Sequence, residues 1–471
     1  MQLIWFRQDL RIQDHAALWY ATQADTCLAV VILSPEQWAI HHDAPVKIDF
    51  YLRQLHSLKE QLHQLNIPLI IQQVPLWKDI PQALLDLSTT YAVETIHANI
   101  EFGVNELKRD SEVQNLLQQH KKTLELYQDR TLFPIGSIRN KSQHPYQVFG
   151  AFKKFCYEQF SLSLPQCYPT PTAQSPVNLM VESKIPTLAE LGAQPLESHF
   201  AMQWPVGEDC ALQRLDHFID HQVSHYQNER DFPNLRGTSQ LSPYLNIGLL
   251  SIRQCIQALF RKQHGHFLPE NLGQQTWLDE LLWREFYQHI LYDFPQVSKH
   301  QPFKASTQYI PWRDAPEDLI VWQQGRTGIP IVDAGMRQLL ATGWMHNRVR
   351  MITAMFLCKN LLIDWRLGEQ WFMQHLIDGD LAANNGGWQW CASTGTDAVP
   401  YFRIFNPISQ SQKFDANGDY IRKWVPELAH LDAKSIHEPF AKNTNLKLDY
   451  PHPIVDLKSS RQRAIDAFKG I

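Results

Sequence analysis

The chain of 471 residues, 44% hydrophobic and 19% charged, is long enough for two or three packed domains. A net charge of −5 and a pI of about 6.5 exclude a global basic footprint, so any nucleic-acid contact must come from a local patch. Seven cysteines with no CxxC and no zinc spacing, charges from Arg7 onward and no apolar run near the ~18 residues that cross a bilayer read as a reduced, soluble, cytoplasmic protein without metal or membrane partner; a monomer is expected.

Strand-like runs at 2–6, 27–33, 67–74 and 95–100 alternate with helical patterns at 46–65, 79–91 and 104–120. That alternation predicts a mostly parallel, doubly wound sheet over residues 1–130. Gly103 stands alone, so no dinucleotide fingerprint is present. Residues 131–203 are expected to connect two domains over the surface, with six prolines between 160 and 200 and little periodicity. From 204 to 471 helical patterns dominate, and ten of the fifteen tryptophans fall between 277 and 424. The expected fold is therefore α/β followed by all-α.

Residues 342–407 carry the densest chemistry. Most tryptophans are core filler. Here Trp388 and Trp390 follow what reads as a Gly386-Gly387 turn, beside Asp378, Asp380, Asn384 and Asn385. Buried polar groups at that density need partners, and a flat ligand rich in donors and acceptors, a flavin or a nucleobase, would supply them. In 277–287, Trp277, Glu280, Arg284 and Tyr287 fall on one helical face at spacings of 3, 4 and 3, with Trp283 adjoining. GTSQLSPYL (237–245) offers hydroxyls and a turn before a helix, a weak phosphate-site signal by itself.

TGIPIVDAGMRQL (327–339), WMHNRVRM (344–351) and DGDLAANNGGWQW (378–390) resemble signature segments of the DNA photolyase/cryptochrome family. WFRQDLR (5–11), GTSQLSPYL and WLDELLWREFY extend the likeness over nearly the whole chain, toward the bacterial class I members with a folate antenna. The resemblance implies an N-terminal antenna domain and a helical domain holding FAD, whose working form is FADH⁻. It implies light-driven electron donation to a cyclobutane pyrimidine dimer in UV-damaged DNA. It also implies that the dimer is flipped out, since a base inside a duplex is out of reach and photolyases as a class are base-flipping enzymes.

The resemblance also assigns residues. Tyr226, Thr238, Ser239, Gln240, Leu241, Ser242, Trp277, Glu280, Arg284, Asn347, Arg350, Asp378, Asp380 and Asn384 match flavin positions; Gln240 stands where relatives often carry Arg. Trp312, Trp365 and Trp388 match a chain of tryptophans that feeds electrons to the flavin. Arg230, Trp277, Glu280, Trp283, Asn347, Arg348, Met351, Trp390, Arg403 and Lys413 match positions that hold the lesion or the DNA backbone. Glu280 and Asn384 would join the three chain tryptophans as the reacting set. His41, Asn105, Glu106 and Lys299 match the site of a 5,10-methenyltetrahydrofolate antenna, expected between the domains, with a deazaflavin ranked second. HNRVRM should place Asn347 and Met351 on one helical face and His346 about 100° away, which argues against the (6-4) lesion. The rival readings are a cryptochrome-type photoreceptor, in which Asp in place of Asn384 would be expected for the plant type, and a light-independent flavin oxidoreductase, for which no hydride-donor site is visible.

Overall fold

The computed structural model describes residues 1–261, 268–441, 447–469 and 471. Five parallel strands form one sheet: β1 (Gln2–Phe6), β2 (Cys27–Leu33), β3 (Leu69–Gln73), β4 (Thr95–Asn99) and β5 (Thr123–Tyr127), in spatial order β3-β2-β1-β4-β5. Side chains alternate across a strand. Ile4, Phe6, Ala29 and Val31 accordingly pack on one face against Leu18 of helix Ala16–Ala24 and Leu55, Leu58 and Leu62 of helix Pro45–Gln64. Leu3, Trp5, Leu28 and Val30 pack on the other, against Leu84 of helix Ile80–Thr90 and Val113 and Leu117 of helix Val104–Gln119. Burial on both faces explains why β1 and β2 read as unbroken apolar runs. Each fully buried Leu or Ile contributes about 1.5–3 kcal/mol.

β5 is the strand the hydropathy pattern does not disclose. Its TLELY buries only Leu124 and lies at the sheet edge. The helices Ala16–Ala24 and Pro35–Ile40 are likewise short and weakly patterned. Residues 163–188 carry no regular structure, after a helix at Phe149–Leu162.

Internal packing divides the chain into two compact units: residues 1–224 with 239–295, and residues 225–238 with 296–471. The second unit is helical. Trp322, Val332, Met336, Ile352, Met355, Leu357, Trp365, Phe372 and Trp388 belong to one core of helices Pro330–Thr342, Asn347–Met355, Trp365–Met373, Leu381–Ala392 and their neighbours. Buried Asp333 pins the TGIP turn by accepting hydrogen bonds from the Thr327 and Gly328 N–H groups and from the Thr327 and Tyr450 hydroxyls.

Gly386 and Gly387 do not make a turn. Helix Leu381–Ala392 runs through them, because Asp380 caps its start by accepting from the Ala383 N–H (2.9 Å) and Asn385 accepts from Gln389 (2.8 Å) one turn later. Those contacts, a cap worth about 1 kcal/mol and a side-chain hydrogen bond of similar size, offset the ~2 kcal/mol that two internal glycines cost a helix.

Candidate functional site

A cleft of about 160 Å³ opens in the second unit between helices Asn347–Met355 and Leu381–Ala392. Asn347, Arg350, Asp378, Asp380 and Asn384 supply polar atoms; Met351, Phe372, Leu376, Trp388 and Cys391 supply apolar wall. The Arg350 Nη2 donates to both oxygens of buried Asp378, at 3.0 and 2.9 Å, and its Nε donates to the Met345 carbonyl at 2.7 Å. The Asn384 Nδ2 donates to the Glu369 carbonyl at 3.0 Å. That bond engages the amide nitrogen and leaves the oxygen, a neutral acceptor, for a ligand. Gly387 lines the cleft and has open space where a Cβ would project. Asn385, by contrast, is buried and turned inward toward Glu369, Val297 and Gln389.

Mixed polarity and a bare glycine suit a flat heteroaromatic ring with alternating donors and acceptors. The Trp388 Nε1–H, like those of Trp312 and Trp371, is buried with no acceptor among the described residues, although buried indoles ordinarily have one.

Trp388 is 2% exposed and packs edge-on against Phe372 at 4.9 Å and Trp322 at 6.0 Å. Trp365 lies in the same core, while half-buried Trp312 and Trp390 pack against it. A Cβ at Gly368 would collide with the Trp388 ring and with Leu357, so glycine there fixes the indole position. Trp312 meets Phe468 of the last helix at 6.0 Å.

In the first unit, helix Leu272–Asp293 carries Trp277, Glu280, Trp283 and Arg284. Trp277 is buried against Phe218 (5.2 Å). Trp283 is half-buried and stacks face-on with Phe149 (3.7 Å, 13°), so one of its faces is covered by its own chain. Arg284 donates to the Arg130 carbonyl at 3.0 Å. Further along this helix, buried Glu285 accepts the Leu132 and Phe133 N–H groups at 3.0 and 3.1 Å, a tie that its acidic character alone does not disclose. Tyr226 and Thr238 belong to the second unit; Ser239, Gln240, Leu241 and Ser242 belong to the first, where Gln240 takes a positive φ of 51° and accepts from Arg214.

His346 is not part of the helix. It is the cap of Asn347–Met355, its Nδ1 accepting from the Arg348 N–H at 3.2 Å, and it is 2% exposed. The expected 100° offset therefore does not apply: a ring with a free acceptor at a helix start is drawn inward to satisfy an orphan N–H. Burial pushes this imidazole down to about 4, so it is neutral near pH 7.

Basic and aromatic side chains gather in the second unit. Arg348 and Lys413 both lie over Phe414, at 4.5 and 5.0 Å from its centroid, and Phe232 flanks it at 6.2 Å. Arg348 pairs with Asp231 at 2.8 Å, and Arg230 approaches the same carboxylate at 3.9 Å. Arg403 is exposed between Tyr401–Phe402 and helix Pro407–Phe414.

In the first unit, His41 ends helix Pro35–Ile40 and its Nε2 lies 3.1 Å from Asn105 and 3.0 Å from Gln37. Burial lowers its pKa. Glu106 folds back into the space that a Cβ on Gly103 would need. Burial and the like charge of Glu101 push the Glu106 carboxyl up to about 7, with Arg109 pulling the other way. Lys299 is exposed at the end of a 3-10 turn in the second unit. A separate small cavity of about 60 Å³ lies past the C-terminal end of β1, lined by Trp5, Arg7, Trp38, Lys47, Trp77, Glu101 and Arg109. Buried Arg7 binds Asp110 there at 2.8 Å, yet its Nε and Nη2 have no hydrogen-bond acceptor among the described residues. WFRQDLR contains that arginine, but its spacing gives no sign of the cavity.

Residues 277–470 match the family model described as the FAD binding domain of DNA photolyase, and residues 2–173 match the DNA photolyase model. The chain is 42% identical to the deoxyribodipyrimidine photo-lyase of Escherichia coli, over 99% of this chain and 98% of that one. A class III photolyase of Agrobacterium tumefaciens superposes with a TM-score of 0.85 at 34% identity, covering 99% and 96% of the two chains. A cryptochrome of Synechocystis superposes with 0.88 at 29% identity, covering 99% of each. With a helical FAD-binding half, a parallel α/β half and full-length likeness of this degree, the chain belongs to the DNA photolyase family.

Proposed function

We propose that the chain is a deoxyribodipyrimidine photolyase, which splits cyclobutane pyrimidine dimers in DNA using light. The observation that carries this reading is the cleft above Trp388, where a neutral amide acceptor, an Arg–Asp pair and a glycine face one space. When bound, reduced FAD supplies the photoexcited electron that opens the cyclobutane ring and receives it back, so no net oxidation occurs. Asn384, Arg350 and Asp378 would hold the ring system, and Asn347 and Asp380 belong to the same cofactor-binding set. Tyr226, Thr238, Ser239, Gln240, Leu241 and Ser242 would hold the diphosphate, and Trp277, Glu280 and Arg284 complete the set.

The chain's own residues have four tasks. Asn384 offers oxygen without charge, which suits an anionic ring. Met351 presents a polarizable apolar surface, suited to a substrate that must gain an electron rather than a proton. Glu280 would hydrogen-bond the pyrimidine pair while Trp277, Trp283 and Trp390 pack around it. Arg230, Arg348, Arg403 and Lys413 would bind phosphates, which position a duplex without reading sequence. Neutral, buried His346 supports the exclusion of (6-4) lesions, because it supplies no acid near pH 7.

His41, Asn105, Glu106 and Lys299 are proposed to bind a methenyl folate antenna; an ionised Glu106 accepts two parallel hydrogen bonds from an amino-pyrimidine. A deazaflavin is the second antenna reading. Irradiating the flavin-loaded protein with a dimer-carrying duplex tests the central reading. Loss of dimers in blue light and none in the dark supports it; equal survival in both sinks it and leaves the photoreceptor alternative.

A further inference from the structure

The carboxylate of Asp231 sits among the cations that should bind DNA, which is an odd place for a negative charge. It takes Arg348 in a forked contact, 2.8 Å to Nη2 and 3.3 Å to Nε, and lies 3.9 Å from the Arg230 Nε. The guanidinium is held against Phe414 at 4.5 Å, with Lys413 on the same ring. Neither partner is deeply buried: the side chains of Arg348 and Asp231 are 18% and 32% exposed. No deep core needs this acid, and neutral His346 already fixes the Arg348 backbone through its capping bond.

A duplex phosphate approaching Arg348 meets a site whose fork is already filled by a carboxylate of the same shape and charge. It must displace Asp231 or tolerate its repulsion. An arginine neutralised in advance also releases little net salt: the cation freed from DNA is balanced by one gathered at the vacated carboxylate.

We infer that Asp231 is a built-in competitor for the DNA backbone, holding Arg348 until a phosphate displaces it and thereby keeping backbone affinity low. The proposal rests on the DNA-repair reading above. It gives a repair enzyme a means of leaving undamaged DNA, since phosphate contacts are the same at every sequence.

The test measures binding to an undamaged duplex and to a dimer-carrying duplex across a salt series. Asp231→Asn should tighten both by a similar factor, about fivefold for a pair of this exposure. The slope of log K against log salt should steepen by about 0.9, the weight of one phosphate contact on duplex DNA. Asp231→Glu keeps the charge and should stay near wild type. Arg348→Gln should weaken binding more in the Asp231→Asn background than in wild type, a coupling that a merely structural aspartate would not produce. Retained flavin absorbance checks the fold of each variant. Unchanged or weaker binding by folded Asp231→Asn, with an unchanged slope, overturns the proposal. Wild-type protein that binds neither duplex in a salt-dependent way overturns the repair reading as well.

Discussion

Asn384→Asp replaces one amide nitrogen by oxygen and leaves the side-chain shape intact. In the fold that nitrogen donates to the Glu369 carbonyl at 3.0 Å. An ionised carboxylate would set acceptor against acceptor at this distance. Losing a bond and stranding a partly buried carbonyl costs about 1–3 kcal/mol. The Asp380 carboxylate, one turn earlier on the same helix face, adds a like-charge contact of ~0.2–0.5 kcal/mol. Protonated, the new carboxyl can donate its O–H to Glu369 and restore the bond. Its neutral form is therefore favoured in the fold, and its folded pKa lies above the unfolded value of about 3.9. The stability it confers is present below that value and is lost as pH rises through the folded pKa. Urea unfolding of wild type and variant, followed by tryptophan fluorescence at about pH 4 and about pH 8, should show a small deficit at the lower pH and the larger one at the higher. A negative charge beside a reduced, anionic ring would also disfavour that form, because like charges in one site repel. The variant should consequently hold the fully reduced flavin less stably in air. An equal deficit at both pH values, with wild-type flavin behaviour, would show that the amide nitrogen does not face Glu369.

Trp388→Phe should abolish photoreduction by a thiol donor while chemically pre-reduced protein still repairs; three ordinary core indoles would instead give normal photoreduction. Gly368→Ala, whose Cβ collides with the Trp388 ring, should slow photoreduction and cost about 1–3 kcal/mol of stability from overpacking. Folate affinity should strengthen as pH rises through about 7, where Glu106 ionises, and Glu106→Ala should lose the near-UV folate band while keeping FAD; the carboxyl's own stabilising share runs the opposite way, largest below about 4.5 and lost toward 7. Pull-down of equal folate by both proteins across the pH range would move the antenna elsewhere. Glu280→Ala should lower repair yield more than damaged-DNA binding, because its hydrogen bond counts most once the pyrimidine pair carries charge; equal losses in the two assays would make it a simple binding residue.

The sheet is legible where strands are buried on both faces, as in CLAVVIL, and illegible at the edge, where TLELY buries one side chain and its pattern is too short to register. The helical region beyond the sheet is legible from tryptophan density and the period of 277–287, although packing puts that helix in the first unit. The 378–390 segment misleads on one point, since two adjacent glycines look like a turn but are carried by the Asp380 cap and the Asn385–Gln389 bond. Which of Asn384 and Asn385 faces the cleft cannot be read from adjacency; the 3.0 Å bond to Glu369 and the burial of Asn385 decide it. His346 departs from its expected direction because helix periodicity does not apply to a cap. Asp231 gives no signal in the sequence for a related reason: Arg348 and the cations over Phe414 lie more than a hundred residues away along the chain.

Two oligonucleotides, one carrying a cyclobutane pyrimidine dimer and one a (6-4) photoproduct, incubated with the flavin-loaded protein under the same near-UV or blue illumination and with matched dark controls, show which lesion the protein repairs. The expected result is light-dependent loss of the cyclobutane dimer with the (6-4) lesion untouched. Light-driven reversal of the (6-4) lesion alone, or no reversal of either, would contradict it.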